Sequence, residues 1–417
     1  MSAPVAVRQD SRVAVESLLV GLAVVFVAAR LKLVPGQLVT AGDVLALLLL
    51  PVWVPTLRRH VGAQALMLTG LAAVVSGLVL TYLSLPDHTF DVRVLLANNA
   101  LLVGLLVSAG FLLWAAERLG PGAVVALFGV GQLLGVDRGS EAYAQEPWKF
   151  GYATGVTLVV LGLAYRRRGW QLVLLAALVL LASLSDSRSG FAIQLLTAAL
   201  VLWQVRPLRR GSVRASAVRG ALGLGIFAAV IYQVGTALIV RGVLGATTQR
   251  RSLRQIDESG SLLLGGRPEI AATVALLRDH VWGYGSGVLV NHHDLAVAKA
   301  GMWAINYDPD NGYVEKYMFG ASYEVHSVLG DGWARFGLVG LGLFVWWTVL
   351  VVRWLGFTLS ATTASAAPLL LAVTTLWDML FAPLYAAGPV LMLTFAVVLQ
   401  RRSAAPEDDP SSVPLPR

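Results

Sequence analysis

The sequence contains no cysteine among its 417 residues. This absence excludes a disulfide framework, a thiolate nucleophile, and any metal or iron–sulfur site that depends on cysteine ligands. It does not by itself identify a cellular compartment. Any catalytic chemistry must therefore come from oxygen- and nitrogen-bearing side chains.

Charged residues are also scarce. Asp, Glu, Lys and Arg make up 13% of the chain, against 57% hydrophobic residues and a mean hydropathy of +0.71. A soluble domain usually carries about 25% charged residues. The composition therefore predicts an integral membrane protein, in which each spanning helix needs about 20 mainly apolar residues.

Apolar runs suited to crossing a membrane recur along most of the chain. The first run, after Arg8 and Arg12, lacks a convincing signal-peptide cleavage site and is interpreted as the first membrane helix. Twelve helices are predicted, at residues 13–30, 37–56, 63–83, 94–116, 121–136, 150–165, 169–185, 189–205, 216–240, 328–352, 365–384 and 386–400. The predicted fold is an all-α polytopic membrane domain over residues 1–403, with a disordered cytoplasmic tail over residues 404–417.

The distribution of arginine and lysine predicts the orientation, because these residues stay on the cytoplasmic side in short loops. With both termini inside, seventeen fall inside: Arg8, Arg12, Arg58, Arg59, Arg118, Arg166, Arg167, Arg168, Arg206, Arg209, Arg210, Arg214, Arg219, Arg353, Arg401, Arg402 and Arg417. Outside the long loop and the head of the tenth helix, six fall on the other face: Arg30, Lys32, Arg93, Arg138, Lys149 and Arg188. Residues 241–325, between helices nine and ten, then form one large loop on the outer, periplasmic face.

The net charge of +8 is explained by this topology and by attraction to anionic lipids. No basic surface interleaved with aromatic residues points to nucleic acid.

The polar residues suited to chemistry concentrate on the outer face. Arg188 lies in the polar stretch at the outer mouth of two helices, and Arg267 lies in the long loop before a Pro-Glu pair. A helix that starts at this pair would place its free N–H groups beside Arg267, which predicts an anion site. His326 lies where the loop returns to the membrane.

These stretches, in this order and spacing, resemble the O-antigen ligase and O-antigen polymerase superfamily. The resemblance covers residues from about 150 to 352, whereas the first five helices match only as hydrophobic helices. It is carried by Ser187–Gly190, Gly266–Arg267, Asp279–Gly285, Glu324–Ser327 and the glycine-rich stretch Phe336–Gly342.

The resemblance implies a function and a set of site residues. Members of the superfamily transfer a glycan from undecaprenyl diphosphate to a hydroxyl on the periplasmic side, and their fold is related to the membrane-embedded GT-C glycosyltransferases. By this resemblance, Arg188 and Arg267 bind the lipid-linked diphosphate and His326 is the catalytic base. The expected activity is that of an O-antigen ligase with a lipid A–core acceptor.

Several positions depart from the family pattern. Ser327 stands where many members have asparagine, and residues 270–272 stand where many have an aromatic residue. Asp331 and Arg335 make the stretch after the histidine more polar than usual. These departures leave open the acceptor and the choice between ligase and polymerase.

The expected chemistry needs neither a metal nor another cofactor. Two guanidinium groups can pair bidentately with phosphate oxygens and take the place of a metal ion. A histidine can accept the proton of the acceptor hydroxyl. The first external loop, residues 31–37, has no acidic residue of the kind that many metal-dependent GT-C enzymes carry there. Attack from the far side of the anomeric carbon would invert its configuration.

Other interpretations of these residues stay open. Arg188 could snorkel from a helix end, Arg267 could be a solvated loop cation paired with Glu269, and His326 could be a structural histidine. A transporter or flippase of lipid-linked glycans, or a non-catalytic scaffold, would also fit a polytopic membrane protein.

The remaining polar groups receive simpler interpretations. His292–Asp294 is interpreted as a solvated loop instead of a metal site, and Asp308–Gly312 as a turn instead of a calcium loop. Glu16, Asp43 and Asp378 lie within predicted spans, where they either line a lipid groove or pair structurally.

Overall fold

The computed structural model describes residues 4–33, 39–185, 187–205, 267–310, 312, 314–320 and 322–402, with residues 225, 240–242, 249–250 and 253. For residues 4–12, 205 and 317 it describes the backbone alone. Apart from residues 225 and 240, the predicted ninth helix (216–240) lies outside the described residues. So do most of the loop before residue 267 and the predicted tail 404–417.

The described residues are helical, with turns between the helices and three isolated bridges instead of strands. The helices are α1 (Pro4–Ala29), α2 (Ala41–Leu48), α3 (Leu50–Leu57), α4 (Ala63–Leu83), α5 (Val92–Leu119), α6 (Pro121–Leu134), α7 (Glu141–Gln145), α8 (Ala153–Leu163), α9 (Arg168–Leu184), α10 (Arg188–Val205), α11 (Glu269–Asp279), α12 (His292–Trp303), α13 (Val328–Ala361), α14 (Ala366–Phe381) and α15 (Leu384–Val398).

Among the described residues, α4, α5 and α13 are long and apolar enough to cross a membrane. Leu68, Val75 and Tyr82 of α4 are each more than half exposed. Large exposed apolar faces of this kind are typical of contact with lipid. The all-helical fold and its apolar helices therefore indicate a membrane-embedded protein, while the count of twelve spans stays a prediction.

Two predicted helices differ from the observed ones in ways that proline and glycine explain. The span predicted at 37–56 is two helices, α2 and α3, which meet at Leu49 just before Pro51. Proline has no N–H to continue the hydrogen bonds of the preceding helix, so the helix breaks there. α13 is interrupted at Gly337, whose φ of 67° and ψ of −158° are not helical.

The helix ends gather at two opposite ends of the bundle. Contacts at two glycines show that α4 and α13 run antiparallel. A Cβ at Gly62, just before α4, would touch Leu350 in the second half of α13, and a Cβ at Gly77, late in α4, would touch the carbonyl of Arg335 near the start of α13. We call the end of the bundle near Gly62 the basic end, and the opposite end the loop end.

Several basic residues pair at the basic end. Arg59 forms an ion pair with Glu117, and the N–H of Arg402 donates to the carbonyl of Arg59 (2.7 Å). Arg168, at the start of α9, donates to the carbonyl of Thr362. All three arginines belong to the set that the sequence assigns to the cytoplasmic side, so the predicted orientation places the loop end at the periplasmic face.

At the loop end, the segment Gly283–Gly287 inserts among α4, α5 and α13. The N–H of Tyr284 donates to the carbonyl of Ala334 (2.9 Å), and that of Ser286 donates to the carbonyl of Gly77 (3.1 Å). Irregular backbone at the edge of an apolar region must have its polar groups satisfied by protein. These bonds meet that requirement and attach the loop to the helices.

The loop also has a hydrophobic core of its own, which α11, α12 and the start of α13 share. Its buried residues are Ala272, Leu276, Tyr284, Val288, Ala298, Met302, Val314, Met318, Tyr323, Val325, Trp333 and Ala334. The described part of the loop is thus a packed cap on the loop end, and α13, which contributes Trp333 and Ala334 to its core, continues from it into the bundle.

A substitution at Gly285 tests this attachment. Its φ is 121°, and a Cβ would collide with the backbone nitrogen of Thr81. We expect Gly285→Ala to lower the free energy of unfolding in detergent by about 2–5 kcal/mol, from backbone strain and overpacking together. Gly342→Ala is the control, because Gly342 is an exposed helical glycine with open space around its Cα. The control should be neutral or stabilising by up to about 1 kcal/mol. Equal changes in the free energy of unfolding for the two variants would contradict the close packing of Gly285 against Thr81.

Candidate functional site

The three predicted site residues lie toward the loop end, around the end of α14. α10 packs on α14. The N–H of Ala364, just before α14, donates to the side chain of Gln204 at the far end of α10 (2.9 Å). The two helices therefore run antiparallel. Arg188, the first residue of α10, lies at the opposite end of this pair, on the side of Phe381.

Arg267 contacts the end of α14 directly. Its Nη1 donates to the carbonyl of Phe381 (3.0 Å), and its guanidinium lies over the rings of Trp377 (5.7 Å) and Phe381 (5.5 Å). A cation at a helix C-terminus is favoured because the last carbonyls carry partial negative charge. The half-buried, stacked position of Arg267 differs from that of a solvated loop cation.

The start of α11 does not provide the anion site that the sequence suggested. The N–H of Ile270 donates to the carbonyl of Arg267 (3.3 Å), and those of Ala271 and Ala272 donate to the carbonyl of Pro268 (3.1 and 3.3 Å). Glu269, in the same turn, is buried. Because these first N–H groups are engaged and a carboxyl lies beside them, an anion is not favoured there.

His326 has an unusual backbone conformation for a non-glycine residue. Its φ is 52°, in the left-handed region. Its half-buried imidazole has Nδ1 at 3.1 Å from the carbonyl oxygen of Glu324. A carbonyl oxygen can only accept, so this hydrogen bond places the proton on Nδ1 and leaves Nε2 as the basic nitrogen.

Ser327 connects this histidine to the end of α14. Its Oγ caps the start of α13 by accepting from the N–H of Gly330 (3.2 Å) and donates to the carbonyl of Met379 (2.8 Å). Met379 and Phe381 belong to the same last turn of α14. The chain next to His326 and the side chain of Arg267 are thus attached to one helix end, which we call the α14 corner (Met379–Leu384).

A buried ionic cluster lies under the histidine. Asp331 is fully buried and accepts from the N–H groups of Val325 (2.9 Å) and Leu384 (2.8 Å). Arg335 is 2% exposed, and its Nε donates to the carbonyl of Tyr323 (3.0 Å). In the sequence, Asp331 and Arg335 stand out only as departures from the family pattern. An Asp-Arg pair four residues apart at the head of an apolar helix was the signal that could have identified this cluster.

Glu324 completes the cluster. Its Oε1 lies 3.9 Å from Nη2 of Arg335. Burial is the main cause that raises the pKa of Glu324 above its ordinary value of 4.5; Asp331 raises this pKa further, whereas Arg335 and His326 lower it. The carboxyl and the imidazole therefore interact electrostatically.

The other polar residues inside predicted spans have structural partners. Asp43 forms a capping box with Thr40 and accepts from the hydroxyl of Ser108 (2.9 Å). Glu16 forms an exposed ion pair with Arg118. Asp43 and Glu16 thus pair structurally.

Asp378 is the acidic residue that lies near the candidate site. It is buried one turn before the end of α14 and interacts electrostatically with Arg267.

The interpretation of His292–Asp294 as a solvated loop was wrong. Residues 292–294 are the first turn of α12, and Asp294 is buried. Asp294 accepts from Nε2 of His88 (3.0 Å) and from the hydroxyl of Tyr323. Within the described ranges, no three histidine or acidic side chains are grouped so that they could hold a metal ion.

Comparison of the chain with known proteins finds no significant match. No family model matches it, and no curated protein or solved structure has significant similarity to it. The resemblance to the O-antigen ligase and polymerase superfamily therefore depends on the sequence motifs alone.

The raised pKa of Glu324 predicts a pH dependence of stability. A carboxyl whose folded pKa is raised stabilises the protein at low pH, and this contribution is lost as pH rises from about 4.5 through the folded pKa. Glu324→Gln should therefore be more favourable, relative to wild type, at pH 7 than at pH 4 when thermal unfolding is measured in detergent.

Glu315→Gln is the matched control with the opposite sign. The pKa of Glu315 is lowered, mainly by its hydrogen bond with Lys299. Its substitution should therefore cost more stability at pH 7 than at pH 4. A Glu324 effect that is equal at both pH values, or that follows the Glu315 pattern, would contradict the raised pKa of the half-buried Glu324.

Proposed function

We propose that this protein is an O-antigen ligase-type glycosyltransferase of the bacterial inner membrane. It transfers a glycan from undecaprenyl diphosphate to a sugar hydroxyl of lipid A–core at the periplasmic face. The observation that carries the proposal is the attachment of two chemically suited groups to one α14 corner. Arg267 donates to Phe381 there, and Ser327, next to His326, donates to Met379.

His326 is the proposed general base. With the Nδ1 proton donated to the carbonyl of Glu324, Nε2 accepts the proton of the acceptor hydroxyl. The acceptor oxygen then forms a bond to the anomeric carbon of the donor as the bond between that carbon and the diphosphate oxygen breaks. The electron pair of the broken bond leaves with undecaprenyl diphosphate, and attack from the opposite face inverts the anomeric carbon.

Arg267 and Arg188 are the proposed partners of the leaving diphosphate. The Phe381 carbonyl uses one of the five guanidinium N–H donors of Arg267, and the hydrogen bond and the two cation–π contacts hold the guanidinium against the end of α14. Arg188 lies toward the same end of the α10–α14 pair. The two cations stabilise the negative charge that develops on the diphosphate, without a metal ion or other cofactor.

A polymerase of the same superfamily is the alternative function. It would use the same donor and the same base, and its acceptor would be a growing glycan instead of lipid A–core. A transporter or flippase of lipid-linked glycans is a more distant alternative, which would bind the donor without breaking the glycosidic bond.

Replacement of the base gives the most direct test. In nanodiscs with a lipid-diphosphate-linked glycan, single acceptors and EDTA, His326→Ala should lower the rate of transfer by about 10²–10⁴-fold, as expected for loss of a general base. His293→Ala is the control, because His293 is an exposed histidine of the same loop, paired with Asp279.

The products of this assay distinguish the candidate functions. Modified lipid A–core identifies a ligase, and an extended donor glycan identifies a polymerase. Movement of the donor across the bilayer without transfer to any acceptor would overturn the proposal in favour of a transporter.

The role of Arg267 predicts that lysine cannot replace it. Arg267→Lys keeps the charge but loses the planar, multi-donor group that lies over the rings of Trp377 and Phe381. We expect kcat/KM for the lipid-diphosphate donor to fall about 10-fold or more, measured by initial rates over a range of donor concentrations. Arg278→Lys, at an exposed position in the last turn of α11, should stay close to wild type. Similar losses of kcat/KM in both variants would contradict a specific role of Arg267 in binding the diphosphate.

A further inference from the structure

The carboxylate of Asp331 joins two segments that are far apart in sequence. Its Oδ1 accepts from the N–H of Val325 (2.9 Å), and its Oδ2 accepts from the N–H of Leu384 (2.8 Å). Val325 immediately precedes His326, and Leu384 is the first residue of α15. A fully buried carboxylate that accepts from two main-chain donors is a fixed link between these segments.

The same link has a cation beside it. Nη2 of Arg335 lies 4.0 Å from Oδ2 of Asp331 and 3.9 Å from Oε1 of Glu324, and makes no hydrogen bond with the described residues. Nε of Arg335 holds the carbonyl of Tyr323. Asp331 and Arg335, one turn apart in α13, therefore hold the main chain on the N-terminal side of His326 at two points.

The other end of the link lies in the α14 corner. Leu384 follows Phe381 by three residues, and Phe381 accepts from Arg267. A displacement of Leu384 relative to Val325 would change the separation between the imidazole of His326 and the guanidinium of Arg267. Glycosyl transfer depends on this separation, because misplacement of a catalytic group by about 1 Å can cost about 10²-fold in rate.

We infer that Asp331 is a positioning residue, which fixes His326 relative to Arg267 by joining Val325 to Leu384. Its effect on catalysis rests on the proposed function. Its effect on the position of His326 does not, and this difference allows the two ideas to be tested separately.

Asp331→Asn is the first test, because the amide has the shape of the carboxylate but can offer only one acceptor oxygen. One of the two main-chain N–H groups then faces an NH₂ group. We expect kcat for transfer to fall at least 10-fold, with the KM for the donor within about 3-fold of wild type, and the pH profile of kcat to move. Asp310→Asn, which removes an exposed carboxylate of the same loop, should leave all three unchanged.

The cysteine-free chain permits a readout that does not need activity. In a His326→Cys variant, position 326 carries the sole thiol of the chain, and its rate of alkylation reports the exposure of that position. Addition of Asp331→Asn should raise this rate at least 3-fold, whereas Asp310→Asn should not change it. If wild type transfers no glycan but the alkylation rate rises, the proposed function fails and the positioning role stands. An unchanged alkylation rate overturns the positioning role, whatever the activity.

A second pair of variants covers the case in which Asp331→Asn does not fold. Leu384→Pro removes the N–H that donates to Asp331, and proline is well tolerated at the first position of a helix. Leu384→Ala keeps that N–H but loses the buried side chain. In the His326→Cys background, the proline variant should raise the alkylation rate at least 3-fold and the alanine variant should not. Equal rates in the two variants would overturn the inference.

Discussion

The buried carboxylate of Asp331 is the interaction on which the geometry of the candidate site depends. Burial of a charged group is costly unless hydrogen bonds and opposite charge compensate it. Here two main-chain N–H groups bind the carboxylate oxygens and a buried arginine lies 4.0 Å away. Because the donors come from Val325 and Leu384, compensation of one charge requires that the loop and the α14 corner meet. The cost of burying the Asp331 carboxylate therefore restricts the position of Val325, and with it the position of the neighbouring His326.

The apolar surroundings strengthen this constraint. Water competes weakly for hydrogen bonds in a region of low dielectric, so an unmade bond there costs more than it would at a soluble surface. The same reasoning applies to the inserted segment Gly283–Gly287, whose N–H groups bond to carbonyls of α4 and α13. The loop is attached to the helices by obligatory polar contacts at the inserted segment and at the start of α13. The described part of the loop is therefore a cap bonded to the helices at these two places.

Much of the helical framework was predictable, whereas the polar contacts between distant segments were not. α4 was predicted at its observed residues because an uninterrupted apolar run is bounded by turn residues, Gly62 and Ser84. The break before Pro51 was missed because the surrounding residues are all apolar and hydropathy does not report a lost N–H. Asp294 was assigned to solvent because its partners, His88 and Tyr323, lie far from it in sequence. The sequence identified candidate residues, but only the fold could show that Arg267 and the chain beside His326 contact the same end of α14.

The backbone of His326 connects these points. A left-handed conformation costs a non-glycine residue roughly 1–2 kcal/mol and persists only where neighbouring contacts over-determine it. At this site those contacts are the hydrogen bond that the N–H of Val325 donates to Asp331, before the histidine, and the hydrogen bonds of the Ser327 hydroxyl after it. An asparagine or glycine would adopt this conformation with less strain. The bonds on either side of His326 thus hold its backbone in this conformation, and a fixed imidazole is what the proposed role of a general base requires.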